Sequence, residues 1–194
     1  MNKTLIITLV VVLIVILGLT GTYNGFVNKQ EAAYEAFSNV EATYQRRADL
    51  IPNLVEVVKG YAKHESQTLE NVIAARAKAT QITISADNIT PEKLEAYQKA
   101  QGELGAALGK LMAVAEAYPD LKASQNFSDL QVQLEGTENR ISEARQKYNK
   151  AVKNYNASIR RFPGSIISSM TGFEKMTMFE ADEASKTAPK VSFD

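Results

Sequence analysis

The stretch LIITLVVVLIVILGL, residues 5–19, is the longest apolar run of the chain. Only a threonine and a glycine interrupt its large aliphatic side chains, and the first 28 residues carry one charged side chain, Lys3. Because a helix rises about 1.5 Å per residue, Leu5–Tyr23 would cover roughly 28 Å, close to the hydrocarbon thickness of a bilayer. The sequence therefore predicts a single N-terminal transmembrane anchor, which we assign to residues 1–28.

A cleaved signal peptide is the alternative for this segment, since it also combines a positive start with an apolar middle. The residues that follow, Thr20–Tyr23 (TGTY), contain no Ala-x-Ala-like cleavage pair, and apolar character resumes at Phe26. The absence of cysteine excludes lipoprotein processing. We therefore favour a retained anchor. A very short N-terminal flank is usually held in the cytoplasm, so we expect the residues from about 29 onward on the extracytoplasmic side.

The composition narrows the function classes. Lys and Arg together number 22, as do Asp and Glu, so no global charge attracts nucleic acid, and we expect no nucleic-acid partner. There is no cysteine and one histidine, His64. This excludes disulfides and thiolate metal sites, and it leaves few options for acid–base catalysis or metal binding.

Residues 29–163 carry apolar positions at helical spacing and predict about four long helices. No proline separates the first stripe from the anchor, so the membrane helix is expected to continue into it. It should end around Arg46–Ile51, because Pro52 biases the preceding residue away from helical dihedrals and suits the start of a new helix. The second helix would then run from about Pro52 to Ile82. The first stripe consists of Tyr23, Val27, Gln30, Tyr34, Phe37, Glu41, Tyr44, Ala48 and Ile51.

The third helix has the strongest start signal, Thr90–Glu92. This segment combines a hydroxyl cap, a proline at the first position and an acid near the positive end of the helix dipole. The helix is expected to run to about Tyr118. Three glycines lie within it, and they suggest a close approach to a neighbouring helix: Gly102, Gly105 and Gly109.

The fourth helix is the longest, with a possible cap at Asn126 and a stop at Phe162–Gly164. Its stripe is heptad-like over about 35 residues, or roughly 50 Å. Short connections between long amphipathic segments predict an all-α fold, an antiparallel bundle of about four helices. A coiled coil of several chains is the competing arrangement. The stripe consists of Phe127, Leu130, Leu134, Thr137, Ile141, Ala144, Tyr148, Val152, Tyr155, Ile159 and Phe162.

Residues 164–194 depart from the long-helix pattern. Ser165–Phe173 (SIISSMTGF) is short, apolar and uncharged, and Lys175–Phe179 (KMTMF) continues it. We expect this segment to cap the bundle end. Contact with the bilayer surface or with a partner stays open, because basic residues flank it at Arg160-Arg161 and Lys175. Pro189–Asp194 is expected to be extended.

Few residues could carry chemistry. His64 stands beside Glu65, but a metal site would need further ligands for which no spacing exists, and we interpret His64 as solvated or packed. The Arg46-Arg47-Ala-Asp49 cluster could bind an anion; we favour a helix corner tied by ion pairs. The tyrosines are interpreted as semi-polar core residues. With one histidine and no nucleophile elbow, a catalytic triad is not credible. We predict no catalytic, cofactor-binding or metal-binding residue, and no enzyme.

Several motifs resemble the LemA family over essentially Tyr23 to the C-terminus. The resemblance implies a bacterial membrane protein with one N-terminal span and a mostly helical soluble domain. It supplies no reaction and no site residues. The matching segments are Arg46–Val55 (RRADLIPNLV), Val58–Glu65 (VKGYAKHE), Ala113–Lys122 (AVAEAYPDLK), Leu134–Ala144 (LEGTENRISEA), Tyr148–Asn156 (YNKAVKNYN), Phe162-Pro163 and Phe179–Phe193.

Three hypotheses on function follow. The first is a scaffold or adaptor anchored in the bacterial inner membrane, which self-associates as a homo-oligomer and binds other envelope proteins. The alternative is a lipid-contacting protein that organises or remodels the membrane through Ser165–Phe173 and the bundle surface. An enzyme that uses carboxylates and the Arg46-Arg47 pair ranks last.

Overall fold

A computed structural model describes residues 2–180, and these are helical or irregular, with no β-strand in that range. The all-α prediction and the long apolar N-terminal helix are confirmed; the expectation for Pro189–Asp194 falls outside the described range. A short 3-10 turn, Ala86–Asn88, precedes the third helix. The helices are α1 (Lys3–Tyr61), α2 (Ser66–Gln81), α3 (Pro91–Ala115), α4 (Pro119–Lys122), α5 (Gln125–Arg160) and α6 (Gly164–Thr171).

Helix α1 runs unbroken for 59 residues, about 88 Å. The apolar N-terminal segment therefore continues directly into the body as one helix, as predicted. The expected end at Arg46–Ile51 and the new helix at Pro52 are wrong. A proline removes the N–H that would bond the carbonyl four residues earlier. Here that carbonyl, on Ala48, accepts a hydrogen bond of 2.8 Å from the Arg76 Nε–H of α2. The guanidinium replaces the missing donor, and α1 continues to Tyr61.

The actual break between α1 and α2 lies at residues 62–65. Ala62 is buried there, and the Tyr118 hydroxyl donates to the Glu65 carboxylate at 3.1 Å. The second helix is consequently half as long as the sequence predicts, although its end at Gln81 agrees with the expected Ile82.

Helix α3 begins as predicted, with Pro91 at its first position and the Lys93 N–H donating to the Thr90 hydroxyl at 3.3 Å. The expected close approach at its glycines is wrong. A Cβ atom at Gly102 or Gly109 would meet nothing within 4 Å, and one at Gly105 only the Arg47 Nη1 at 3.9 Å. Gly105 and Gly109 instead line an open groove of about 440 Å³ between α3 and α5.

Helix α5 buries every predicted stripe position except Phe162, which lies beyond its end. It starts at Gln125, one residue before the expected cap. The buried stripe predicted for α1 is only partly correct. The line Phe37–Tyr44–Ile51 is buried as predicted, but its companion line lies on the other side. The companion comprises Phe26, Ala33, Val40, Arg47 and Leu54. The predicted companion line contains Glu41, and of its four members only Ala48 is buried.

Helices α1 and α5 run in opposite directions along each other. Phe26 shares a buried cluster with Ile159, Phe37 contacts Tyr148 at 5.5 Å between ring centroids, and Arg47 pairs with Glu138. A second cluster joins the C-terminal half of α1 with α2, α3, α4 and the start of α5. The core therefore extends along the chain as a series of aromatic and aliphatic clusters centred on α1.

Candidate functional site

The N-terminal part of α1 is not buried against the rest of the described chain, residues 2–180. Every residue from Asn2 to Gly21 is exposed. By length and composition, α1 is the one helix among residues 2–180 that could cross a membrane. Three of its hydroxyl groups are satisfied within the helix: Thr8, Thr20 and Thr22 each donate to the carbonyl four residues earlier at 2.8–2.9 Å. Such back-bonding pairs these three donors, as an apolar surrounding requires.

An aromatic junction forms where this exposed segment ends. The Phe173 ring lies 5.4 Å from the Tyr23 ring and 5.4 Å from the Phe26 ring, in edge-on geometry. Helix α6 begins beside it at Gly164. A Cβ atom at Gly164 would lie 2.5 Å from the Ser158 carbonyl oxygen and 2.9 Å from Phe26 Cζ, so only glycine fits. Helix α6 is thereby held against α1 immediately after the exposed segment.

The two faces of α6 differ. Ile167 and Ser168 are buried, and the Ser168 hydroxyl donates to the Ile159 carbonyl at 2.9 Å. This face covers the end of the α1–α5 pair, as the capping prediction expects. The outer face exposes 52% of Ile166 and 80% of Met170, and the preceding Phe162 is 82% exposed. We call Phe162, Ile166 and Met170 the apolar foot.

After α6 the chain returns along α5 as an irregular strap, residues 173–180. Asn156 accepts the Met176 N–H and donates to the Met176 carbonyl, both at 2.9 Å. Asn149 makes the same pair with Phe179, at 2.8 and 2.9 Å. The two asparagines are seven helical residues apart, about 10.5 Å, and three extended residues cover about 10 Å. The spacing of the asparagines along α5 equals the spacing of their partners along the strap. A single alignment of the strap therefore lets both asparagines form their hydrogen bonds.

The two tyrosines that precede these asparagines, Tyr148 and Tyr155, bind strap carbonyls with the same spacing. The Tyr148 hydroxyl donates to the Thr177 carbonyl at 2.8 Å, and the Tyr155 hydroxyl to the Glu174 carbonyl at 2.9 Å. Burial raises the pKa of both phenols above the ordinary value, with smaller contributions from nearby Tyr34. The strap ends with Phe179 buried against Tyr148 at 5.3 Å between ring centroids. The core interpretation of these tyrosines is confirmed, but their role in holding the strap was not predicted.

Arg47 ties three helices together. It is 3% exposed, and its Nη2 donates to the Gln101 carbonyl and side-chain oxygens at 3.0 and 2.6 Å. Its Nη1 pairs with Glu138 of α5 at 2.5 Å, and the guanidinium lies 5.2 Å from the Tyr44 ring centroid. The ion pair expected for the Arg46-Arg47 cluster exists, but it joins α1, α3 and α5 rather than a corner. Arg46 is exposed.

The other candidate residues remain apart. His64 is exposed in the loop after α1. Among residues 2–180, no group of three or more His, Asp or Glu side chains is placed to hold a metal ion. A second groove, about 640 Å³, lies between α1 and α5, and charges of both signs line it, including Arg46 and Glu143. The Lys147 ammonium hydrogen-bonds the Glu143 carboxylate and lowers its pKa.

These features define an all-helical protein whose N-terminal helix suits a bilayer and whose body is closed by a C-terminal strap. The chain belongs to the LemA family, which matches residues 36–193, so the resemblance read from the motifs is confirmed. It is 28% identical to Magnetosome protein MamQ of Magnetospirillum gryphiswaldense, covering 85% of this chain and 67% of that protein. It is 28% identical to Magnetosome protein MamQ 2 of Paramagnetospirillum magneticum, covering 96% and 75%. It is 24% identical to Protein LemA of Metamycoplasma hominis, covering 84% and 71%. The apolar helix and these relatives fit a membrane-associated helical protein.

Proposed function

We propose that this protein is a membrane-anchored scaffold of the bacterial envelope. The exposed half of α1 crosses the inner membrane once, and the body lies on the extracytoplasmic side as an antiparallel helical bundle. It acts without catalysis, by self-association and by binding other envelope proteins.

The continuity of α1 carries the proposal. Residues 18–25 (GLTGTYNG) join the exposed apolar segment to the packed segment, and α1 stays helical across their three glycines and across Tyr23–Phe26. Arg76 maintains the helix at Pro52, and Arg47 fixes it to α3 and α5. Such a body would be presented at a defined angle to the bilayer, which favours a scaffold over a flexibly tethered module.

The groove between α3 and α5 is the surface best suited to a helical partner. Leu108, Met112 and Leu134 line it, and Gly105 and Gly109 leave it unfilled. Small residues allow another helix to approach closely, and the apolar floor would be covered on association.

Self-association is tested by crosslinking and mass measurement of the full chain in lipid nanodiscs. The expected result is more than one copy per particle. Gly109→Leu, which fills the groove, should reduce that number. Gly136→Leu is the matched control, because Gly136 is also helical and open within 4 Å but does not line the groove. A monomer with no co-purifying protein would refute the scaffold.

The side of the membrane is tested with single cysteines, since the chain contains none. Val132 is exposed on α5, and Asn2 precedes α1. In spheroplasts, a membrane-impermeant maleimide should label Val132→Cys directly and Asn2→Cys only after lysis. The reverse pattern would place the body in the cytoplasm.

A further inference from the structure

We propose that the apolar foot is a second membrane contact, which lies in the headgroup layer of the same bilayer and prefers anionic lipid. The inference rests on the proposed anchoring by α1 and adds a contact made by the body itself.

The position of α6 along α1 is the first step. If the hydrocarbon core ends near Tyr23, Phe26 lies only about 4.5 Å further along the helix axis. The headgroup layer is about 5–7 Å thick on each side, so α6, which contacts Phe26 through Gly164, lies within that layer. Tyr23 itself is half exposed, as is typical of aromatic residues at a membrane interface.

The direction of the foot is the second step. Helix α5 runs opposite to α1, and its last buried residue, Ile159, packs in the cluster of Phe26. Phe162 follows the end of α5 and is therefore on the end of the body from which the exposed half of α1 leaves. Ile166 and Met170 are one turn apart on α6 and exposed, whereas Ile167 and Ser168 between them are buried. Three large apolar side chains are thus exposed where water would be replaced by lipid.

The charges around the foot give the lipid preference. Arg160, Arg161 and Lys175 are exposed, and Glu174 is the only acidic residue between positions 160 and 175, a net charge of +2. Helix α6 carries no charged residue. An uncharged apolar helix between basic residues is the arrangement that binds anionic membrane surfaces.

The chain has no tryptophan, so single tryptophans report the environment of chosen positions in the full-length protein. Met170→Trp and Phe162→Trp probe the foot, and both positions are more than three-quarters exposed, so the fold should tolerate them. Val132→Trp is the matched control, an exposed apolar position in the first third of α5. Leu13→Trp reports the anchor. Each variant is reconstituted into bilayers of phosphatidylcholine and phosphatidylglycerol whose acyl chains carry bromine, which quenches nearby tryptophan.

We expect quenching and a blue shift for Met170→Trp and Phe162→Trp, quenching for Leu13→Trp, and neither for Val132→Trp. Omitting phosphatidylglycerol, or replacing Arg160 and Arg161 by glutamine, should weaken the quenching at the foot. If the foot reporters behave like Val132→Trp while Leu13→Trp is quenched, the inference fails and the anchor stands. If Leu13→Trp is also unquenched, the anchor and the inference both fail. A blue shift without quenching, in bilayer and detergent alike, would show that protein covers the foot, and equal quenching in both lipids would refute the anionic preference.

Discussion

The exposed half of α1, Asn2 to Gly21, and its packed half, Phe26 to Val58, differ in side-chain burial although they belong to one continuous helix. From Asn2 to Gly21 every side chain is exposed, and large aliphatic residues lie on all sides. From Phe26 to Val58 one side of the helix is buried, and from Ala33 onward the buried positions recur every three or four residues and face α5, α2 and α3. Backbone hydrogen bonding is the same in both halves. The difference lies in what surrounds the side chains, and it teaches that a helix without a polar face is built for a solvent other than water.

The largest expected effect comes from making the same substitution, leucine to alanine, in each half of α1. Leu54 is fully buried and Leu13 is exposed. Leu54→Ala should lower the free energy of unfolding by about 2–5 kcal/mol, through lost burial and a cavity. Leu13→Ala should change it by no more than about 0.5 kcal/mol, because no contact of the body is removed. Denaturant titration of the full chain in detergent, followed by circular dichroism, measures both.

Leu13→Arg is expected to have the opposite pattern to Leu54→Ala: it should impair membrane insertion and leave the stability of the body unchanged. An arginine at the centre of a span adds roughly 2.5–3.5 kcal/mol to the apparent cost of insertion. We expect a smaller membrane fraction of the protein and an unchanged unfolding free energy of the body. Equal destabilisation of the body by Leu13→Ala and Leu54→Ala would contradict the division of α1 into two halves.

The next effect concerns the proline inside the packed half. Arg76→Ala leaves the Ala48 carbonyl without the donor that compensates for Pro52, and an unpaired buried acceptor costs about 1–3 kcal/mol. Pro52→Ala restores the N–H, so the same Arg76→Ala change should cost much less in that background. The double-mutant cycle is measured by thermal unfolding. Additive effects of the two substitutions would show that Arg76 does not replace the missing donor.

A smaller effect should be local to the strap. Asn156→Ala removes two hydrogen bonds to Met176, and Asn149→Ala removes two to Phe179, each worth about 0.5–1.5 kcal/mol net. Amide hydrogen exchange should accelerate at Met176 in the first variant and at Phe179 in the second.

Each of these variants serves as the control of the other. Asn156→Asp keeps the acceptor for the Met176 N–H and should preserve more of its protection than alanine does. Protection that is lost equally at both amides in every variant would mean that the strap detaches as one unit.

The smallest effect is the pH dependence of the packed half. Burial raises the pKa of Tyr148 above its ordinary value of 10.0, so its contribution to stability is complete below about pH 10. It is lost as the pH rises further, because the unfolded chain then releases a proton that the folded chain retains. The slope is at most about 1.4 kcal/mol per pH unit. Melting temperatures across this range should fall less steeply for Tyr148→Phe. Residues 4–22 contain no ionisable side chain, so the exposed half should not respond.

The sequence predicted α5 almost completely, because a single apolar stripe with no competing line determines its buried face. It failed at Pro52, since the donor that compensates for the proline, Arg76, is 28 residues from the Ala48 carbonyl in the chain. Arg47 was recognised as part of an ion pair, but its partners Gln101 and Glu138 meet only in the folded protein. The strap site had a readable signal: the dipeptide Tyr-Asn at 148–149 recurs at 155–156.

The continuous course of α1 from the exposed segment into the body has a mechanical consequence. From Tyr23 to Tyr61 the helix extends about 57 Å, and transmembrane helices tilt by about 20° on average. A tilt of that size would displace the far end of α1 sideways by about 20 Å. In a membrane, the helix would therefore act as a lever arm that converts a small change in bilayer thickness into a large sweep of the loop at residues 62–65.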